Sequence, residues 1–491
     1  MLRHQLSHSA NRLLLLFACL TLGEDQTFAA RPNTNDGPPN IIVILADDLG
    51  YGELGCYGQK VIQTPNLDSM AREGMRFLQF YSGATVCAPS RSVLMTGLHH
   101  GHTRVRGNAG AANPAAQALK ADDVTVAKLL QQAGYRTALV GKWGLGDAGA
   151  AESGLPRRQG FDEFFGFLNQ QHAHNHFPSF LWKNEEKVML RNDIVPAGDT
   201  GAGYSTNQLE FADDLFAAEA LRFVRDNREK PFFLYWSLVT PHANNERTRM
   251  LGNGAAVPDF GPYADKDWPE QDKGQAAMIT RLDQHVGAML SELRTLGLDQ
   301  NTLVIFTSDN GPHNEARHDL KRFEPSGPYS GIKRSLTDGG IRVPMIAWWP
   351  GHVAPNTTSP HVGYFGDLMA TVTELAKVEC PGDRDSLSLV PVLTGAEAKA
   401  QNHEWLYWEF HEGGFRQAAL YQGRWKGIRA GSPNSPIRLY DLQTDAAEQN
   451  DVAEKEPAIA ATISEYLKTA RTDSPDWPAV WKEGRADGGK R

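Results

Sequence analysis

Cysteine is scarce. The 491 residues contain four (Cys19, Cys56, Cys87, Cys380), too few and too scattered for the paired framework that staples small secreted folds. Beyond the N-terminus no run approaches the ~20 apolar residues needed to cross a bilayer, so the mature chain is expected to carry no transmembrane span. A basic block is also missing: 49 Lys and Arg stand against 58 Asp and Glu, a net charge of −9. That argues against nucleic acid as a partner, because such affinity rests on concentrated positive charge. It does not exclude a small anionic substrate, which local positive groups in a cleft can hold. With 41% apolar and 22% charged residues, the composition excludes a disordered or collagen-like chain. The length fits two or three domains, or one large α/β domain with an appendage.

The first residues read as a targeting segment. Arg3, His4 and Arg12 precede an apolar run from Leu13 to Leu20, and small residues follow at Ala29 and Ala30. This is the order of a secretory signal, and the run is too short to span a membrane. A signal peptide over 1–30 is therefore expected, with export to the periplasm or the medium. Leu16-Phe17-Ala18-Cys19 loosely resembles a lipid-attachment box, but Phe17 is wrong for it and the apolar run before it is short. Nothing in the spacing decides whether Cys56 and Cys380 pair.

Strands and helices then alternate. Ile41 to Ala46 is a continuous apolar run of strand length, which suits a strand covered on both faces, and it ends in Asp47-Asp48. Thr64-Pro65 opens a helix through about Met75, and Asp122-Asp123 opens another that runs to Gly134. Thr137–Val140, Phe232–Trp236 and Leu303–Phe306 read as further buried strands. Between the last two, Ile279, Leu282, Val286, Met289, Leu290, Leu293 and Leu296 form one face of a long helix that stops at Gly297. The pattern predicts an α/β sandwich with helices on both faces of a mixed, mostly parallel sheet. From about residue 400 the style changes to short strands and a final helix near 456–470. A catalytic domain over 38–398 is therefore expected, with a smaller C-terminal α+β subdomain, carrying a short antiparallel sheet, over 399–491.

In open parallel sheets ligands sit beyond the carboxyl ends of the strands. Asp47, Asp48, Lys142, His242, Asp309 and Asn310 each lie at or just after such an end, so residues some 260 positions apart can meet on one rim.

The string Cys87-Ala88-Pro89-Ser90-Arg91, continuing to Leu94-Met95-Thr96-Gly97, resembles the signature of the type I sulfatases, a branch of the alkaline phosphatase superfamily. The resemblance implies an alkaline-phosphatase-like sandwich and oxidation of Cys87 to formylglycine by a maturation enzyme. The aldehyde hydrate is then the nucleophile, with Arg91 beside it. Pro89 suits a first helical turn, which places Cys87 at a helix N-terminus, where free amides favour an anion. The resemblance further implies a divalent metal, Ca2+ or alternatively Mg2+, on Asp47, Asp48, Cys87, Asp309 and Asn310. Lys142 and Lys333 match the family's sulfate-binding lysines, and His242 matches a His that serves as general acid.

One position departs from the pattern. Many relatives read Gly-Lys-Trp-His-Leu-Gly, and that His takes a proton in the second step. Here the string is Gly141-Lys142-Trp143-Gly144-Leu145-Gly146. His172, His174 and His176 would share one face if extended, and His174 is the candidate to fill the gap or read the substrate. His313 lies where it could touch a sugar. The Gly-Lys-Trp-Gly-Leu-Gly string, the His run and Thr240–Glu246 together resemble exported bacterial carbohydrate sulfatases acting on galactose-type sugars of algal or host glycans, so a sulfated saccharide is the expected substrate. The alternatives are an arylsulfatase or phosphonate/phosphodiester hydrolase with the same nucleophile, and a glycan-binding relative that has lost turnover.

Overall fold

A computed structural model describes residues 37–109, 113–149 and 151–482. The expected signal peptide and Cys19 lie outside these residues. Within them, no helix is long and apolar enough to cross a membrane, and Cys56, Cys87 and Cys380 are free thiols.

The strands in chain order are β1 (Asn40–Ala46), β2 (Met75–Tyr81), β3 (Arg136–Lys142), β4 (Glu163–Phe167), β5 (Phe180–Lys183), β6 (Glu186–Met189), β7 (Asp193–Pro196), β8 (Gly203–Asn207), β9 (Phe232–Ser237), β10 (Thr302–Ser308), β11 (Met345–Trp348) and β12 (Thr357–Tyr364). The large sheet has the order β12-β2-β11-β10-β1-β9-β3-β4-β5-β6. Its centre, β10-β1-β9-β3-β4, is parallel, and β11 is antiparallel to both of its neighbours.

Helices cover both faces, and β1 shows why its sequence is apolar without alternation. Ile41, Val43 and Leu45 pack into one core with the helices Cys87–Thr96, Val126–Gln132 and Asp367–Ala376. Ile42, Ile44 and Ala46 pack into a second core with Pro65–Glu73, Ala212–Asp226 and Glu270–Thr295. Successive side chains of a strand point to opposite faces, so both sets must be apolar.

A second, antiparallel sheet of β13 (Trp405–Phe410), β14 (Arg416–Tyr421), β15 (Trp425–Arg429) and β16 (Arg438–Asp441) follows in sequence. One face packs on the helix Pro457–Thr469 through Tyr407, Ala419 and Leu439. The other face, with Leu406, Trp408, Ala418 and Leu420, joins the core of the large sheet.

Two boundaries differ from the sequence reading. The helix expected from Asp122-Asp123 starts at Val126, because Thr125 caps it by accepting from Lys128 N at 3.2 Å. Asp123 is instead spent on Arg104 Nε at 2.6 Å and Lys120 N at 2.7 Å. The first helix ends at Glu73 rather than Met75, which opens the unanticipated strand β2.

Glu53, fully buried in a short turn after β1, accepts from Gly50 N at 2.7 Å. Burial pushes its carboxyl up to about 8. A folded value above the unfolded one means the native state keeps a proton that the unfolded chain releases. Stability is thus full below about pH 4.5 and falls until about pH 8. Glu53→Gln, whose amide can also meet the unpartnered Gln275 Oε1, should remove that slope. It should raise stability by about 1–3 kcal/mol at pH 8.5 and by little at pH 4. Urea unfolding at the two pH values checks this, and an equal effect at both would refute it.

Candidate active site

The rim at the carboxyl ends of the parallel strands is set by register. Ala46 of β1 stands opposite Ser308 of β10, and Leu45 opposite Ser237 of β9. Asp47-Asp48, Asp309-Asn310 and the segment leading to His242 therefore leave the sheet side by side. Asp48 turns back with φ +64, a conformation unusual outside glycine, and its N–H donates to Asp309 Oδ1 at 3.0 Å. Asp213 holds the third segment by accepting from Val239 N, Thr240 N and Thr240 Oγ1.

Cys87 is the first residue of a helix buried along its whole length, entered from extended Val86. Arg91, one turn on and on the same face, donates to Asp309 Oδ2 from Nη2 at 2.7 Å and from Nε at 3.1 Å. Its Nη1 donates to Lys142 O at 2.9 Å and also reaches Ser237 Oγ. One guanidinium thus ties the helix that begins at Cys87 to β3, β9 and the end of β10.

Asp47, Asp48, Cys87 and His242 offer ligand atoms within 4.8 Å of one another. Asn310 joins them through Nδ2, which donates to Asp48 Oδ1 at 2.7 Å. Its own Oδ1, like Asp47 Oδ1, is buried without a hydrogen-bond partner; Arg91 Nη2 lies 3.7 Å from the latter. Buried oxygens of this kind are costly unless something positive meets them. The carboxylates of Asp47 and Asp48 with the Asn310 amide oxygen, and Asp309 adjoining through its bonds to Asp48 N and Arg91, fit a hard divalent cation.

Two ammonium groups reach the acidic pair. Lys142 Nζ donates to Asp47 Oδ2 at 2.5 Å and Lys333 Nζ to Asp48 Oδ2 at 2.7 Å. Burial opposes the charge on each lysine, but Asp47 beside Lys142, and Asp48 with Glu315 beside Lys333, raise both ammonium groups above their ordinary value. Burial likewise works against the Asp47 carboxylate, yet Lys142 and the other cations hold it well below the usual range. Burial pushes the Cys87 thiol far up, so the unmodified residue is no thiolate at neutral pH.

His242 is held neutral, first by burial and then by Lys333. Its Nδ1–H donates to Ala243 O at 2.7 Å, which leaves Nε2 bare to accept from Lys333 Nζ at 3.1 Å.

The His run folds as a helical turn, Gln170–Ala173, capped by Asn169, not as an extended segment. A helix rotates about 100° per residue, so alternate histidines point apart. His174 stacks on His242 with ring centres 5.0 Å apart and donates from Nδ1 to Glu246 Oε2 at 3.0 Å. His172 packs against Phe167 and Phe180 in the apolar wall instead. His176 donates from Nε2 to His242 O at 2.7 Å. His313 stacks at 5.8 Å on the His242 ring, but both its nitrogens are engaged, Nε2 with Pro241 O and Nδ1 with Glu315 N. Glu315, which the sequence reading passed over, lies 3.3 Å from Lys333 Nζ and 3.6 Å from His242 Nε2. Its only signal was its place six residues past Asp309.

A family model described as Sulfatase matches residues 39–378, and one described as N-sulphoglucosamine sulphohydrolase, C-terminal, matches residues 331–473. The chain belongs to the sulfatase family. The chain is 35% identical over 371 residues to the N-acetylgalactosamine-6-sulfatase of Rattus norvegicus, a match covering 72% of the chain and 66% of the rat protein, just under two thirds of its length. It is 29% identical over 536 residues to the N-acetylgalactosamine-6-O-sulfatase of Bacteroides thetaiotaomicron, covering 94% and 99% of the two chains. Among solved structures, one described as Ps i-CgsB in complex with k-i-k-neocarrahexaose matches with a TM-score of 0.73 and 25% identity, over 90% of this chain and 95% of that chain.

Proposed function

We propose that the protein hydrolyses a sulfate monoester on a galactose-type saccharide by cleaving the S–O bond. The observation that carries this reading is the meeting of Cys87 with Asp47, Asp48 and His242 on one buried rim, flanked by Lys142 and Lys333. The names of the two relatives favour an amino-galactose or galactose unit sulfated at the 6-position.

Formylglycine made from Cys87 would supply a hydrate, one oxygen of which attacks sulfur while the other later expels sulfate by restoring the aldehyde. Asp47, Asp48, Asp309 and Asn310 would hold a divalent cation, Ca2+ by the hardness of the set, that neutralises charge on the sulfate. Lys142 and Lys333 bind the sulfate oxygens. Arg91 holds the start of the nucleophile helix against the rim. His242, protonated at Nε2 once the negative charge of the sulfate stands beside it, gives that proton to the departing sugar oxygen as general acid, and His174, stacked on His242 and oriented by Glu246, fixes that ring or reads the sugar.

His242→Ala should lower kcat on a saccharide sulfate by about 10²–10⁴. It should cost much less on 4-nitrophenyl sulfate, whose leaving group needs no proton. Equal losses on both would remove His242 from the proton path. The whole reading is tested by measuring sulfate release from sulfated galactose and glucose units, beside phosphonate and phosphodiester substrates. The protein used is one whose residue 87 has been verified by mass as formylglycine. Preference for phosphonate, or binding without release, would overturn it.

A further inference from the structure

Position 144 carries no side chain, and a neighbour occupies the space. Gly144 has φ +81, and a Cβ there would lie 2.5 Å from Gln170 Nε2. Only glycine accommodates both that backbone and that neighbour. Gln170 is 9% exposed, yet neither its Oε1 nor its Nε2 has a hydrogen-bond partner. A buried carboxamide left unpaired is destabilising, which marks it as a group waiting for a ligand.

Gln170 lines a cavity of about 50 Å3 together with Gly144, Gln117, Asn169 and Thr200. Thr200 Oγ1 is a third buried polar atom without a partner on the same wall. The charged member of the lining, Asp147, has its Oδ2 occupied by Asn169 Nδ2 at 3.0 Å. The wall is tied to the nucleophile helix: Gln117 Nε2 donates to Gly144 O at 3.0 Å, Ala109 N donates to Gln117 Oε1 at 2.8 Å, and Ala88 N donates to Asn108 Oδ1 at 3.2 Å.

We infer that Gln170, with Thr200, forms a subsite, joined to the helix of Cys87 through Gln117 and Asn108, that hydrogen-bonds a hydroxyl of the sulfated saccharide, which makes Gln170 a specificity-determining residue. A carboxamide offers a donor and an acceptor, and a hydroxyl answers both. The space admits groups the size of water, which suits a hydroxyl or hydroxymethyl. Among the described residues no cation lines it, which disfavours a second sulfate as its ligand.

The inference rests on the reading of the chain as a saccharide sulfatase, and the test separates the two. kcat/KM is measured for the wild type, Gln170→Ala and Gly144→Ala on a 6-sulfated galactose-type monosaccharide and on 4-nitrophenyl sulfate, which has no hydroxyl to offer. Gln170→Ala should lose about 10–200-fold on the saccharide and at least tenfold less on the aryl ester. Gly144→Ala, which pushes the carboxamide aside, should show the same imbalance by a different route. Equal losses on the two substrates, or no loss on the saccharide, would overturn the inference. If the wild type with verified formylglycine releases sulfate from neither ester, the sulfatase reading fails instead.

Discussion

Cys87→Ala is expected to lower sulfate release by at least about 1,000-fold, the scale on which enzymes lose their nucleophile, while the fold persists. Ala is the best helix former, and position 87 is the first residue of its helix, where it contributes no intrahelical N–H bond. The sulfur is one atom at the edge of a large core, so the thermal midpoint should move by a few degrees at most. Burial holds the unmodified thiol protonated, so activity in wild-type preparations should scale with the fraction of chains that have lost the thiol. Peptide mass spectrometry beside sulfate release measures both. Full activity in chains that retain an intact thiol, or in Cys87→Ala, would end the assignment of residue 87.

Much of this architecture could be read from the chain because the physics was local. β1, β9 and β10 are unbroken apolar runs covered on both faces, and each ends in or leads to a polar residue of the rim. The edge of the sheet was harder. All four residues of Glu186–Met189 are exposed, so no burial pattern marks them, and β2 mixes buried and exposed positions irregularly. The His run misled because alternation in sequence suggests one face only for an extended chain. Asn169 capped a helical turn there instead, sending His172 into the apolar wall and leaving His174 on His242. Gln170 carried no signal in the sequence, and Glu315 only its nearness to Asp309. A lone Gln or Glu acquires meaning only from its neighbours, here the bare Gly144 and the Lys333–His242 pair.

Asp309 combines two duties, and its replacement should therefore damage stability as well as turnover. Arg91 and Asp309 are both fully buried, and Arg91 has Asp47 Oδ1 only at 3.7 Å as a second carboxylate. Asp309→Ala leaves the guanidinium without its main counter-charge in a site closed to water. Breaking a buried pair from one side costs about 3–5 kcal/mol. It also removes the acceptor of Asp48 N, which keeps Asp48 in its unusual backbone conformation. Asp309→Asn retains an oxygen for that N–H and should lose less, about 1–3 kcal/mol. Both variants should release almost no sulfate, and Ca2+ titration should raise their thermal midpoint less than it raises that of the wild type, because ligand linkage needs the full oxygen set. In a double-mutant cycle, Arg91→Ala combined with Asp309→Ala should be far less unstable than the sum of the single changes. If Asp309→Ala unfolds within about 1 kcal/mol of the wild type, Arg91 is not the clamp that fastens the helix of Cys87 to the rim.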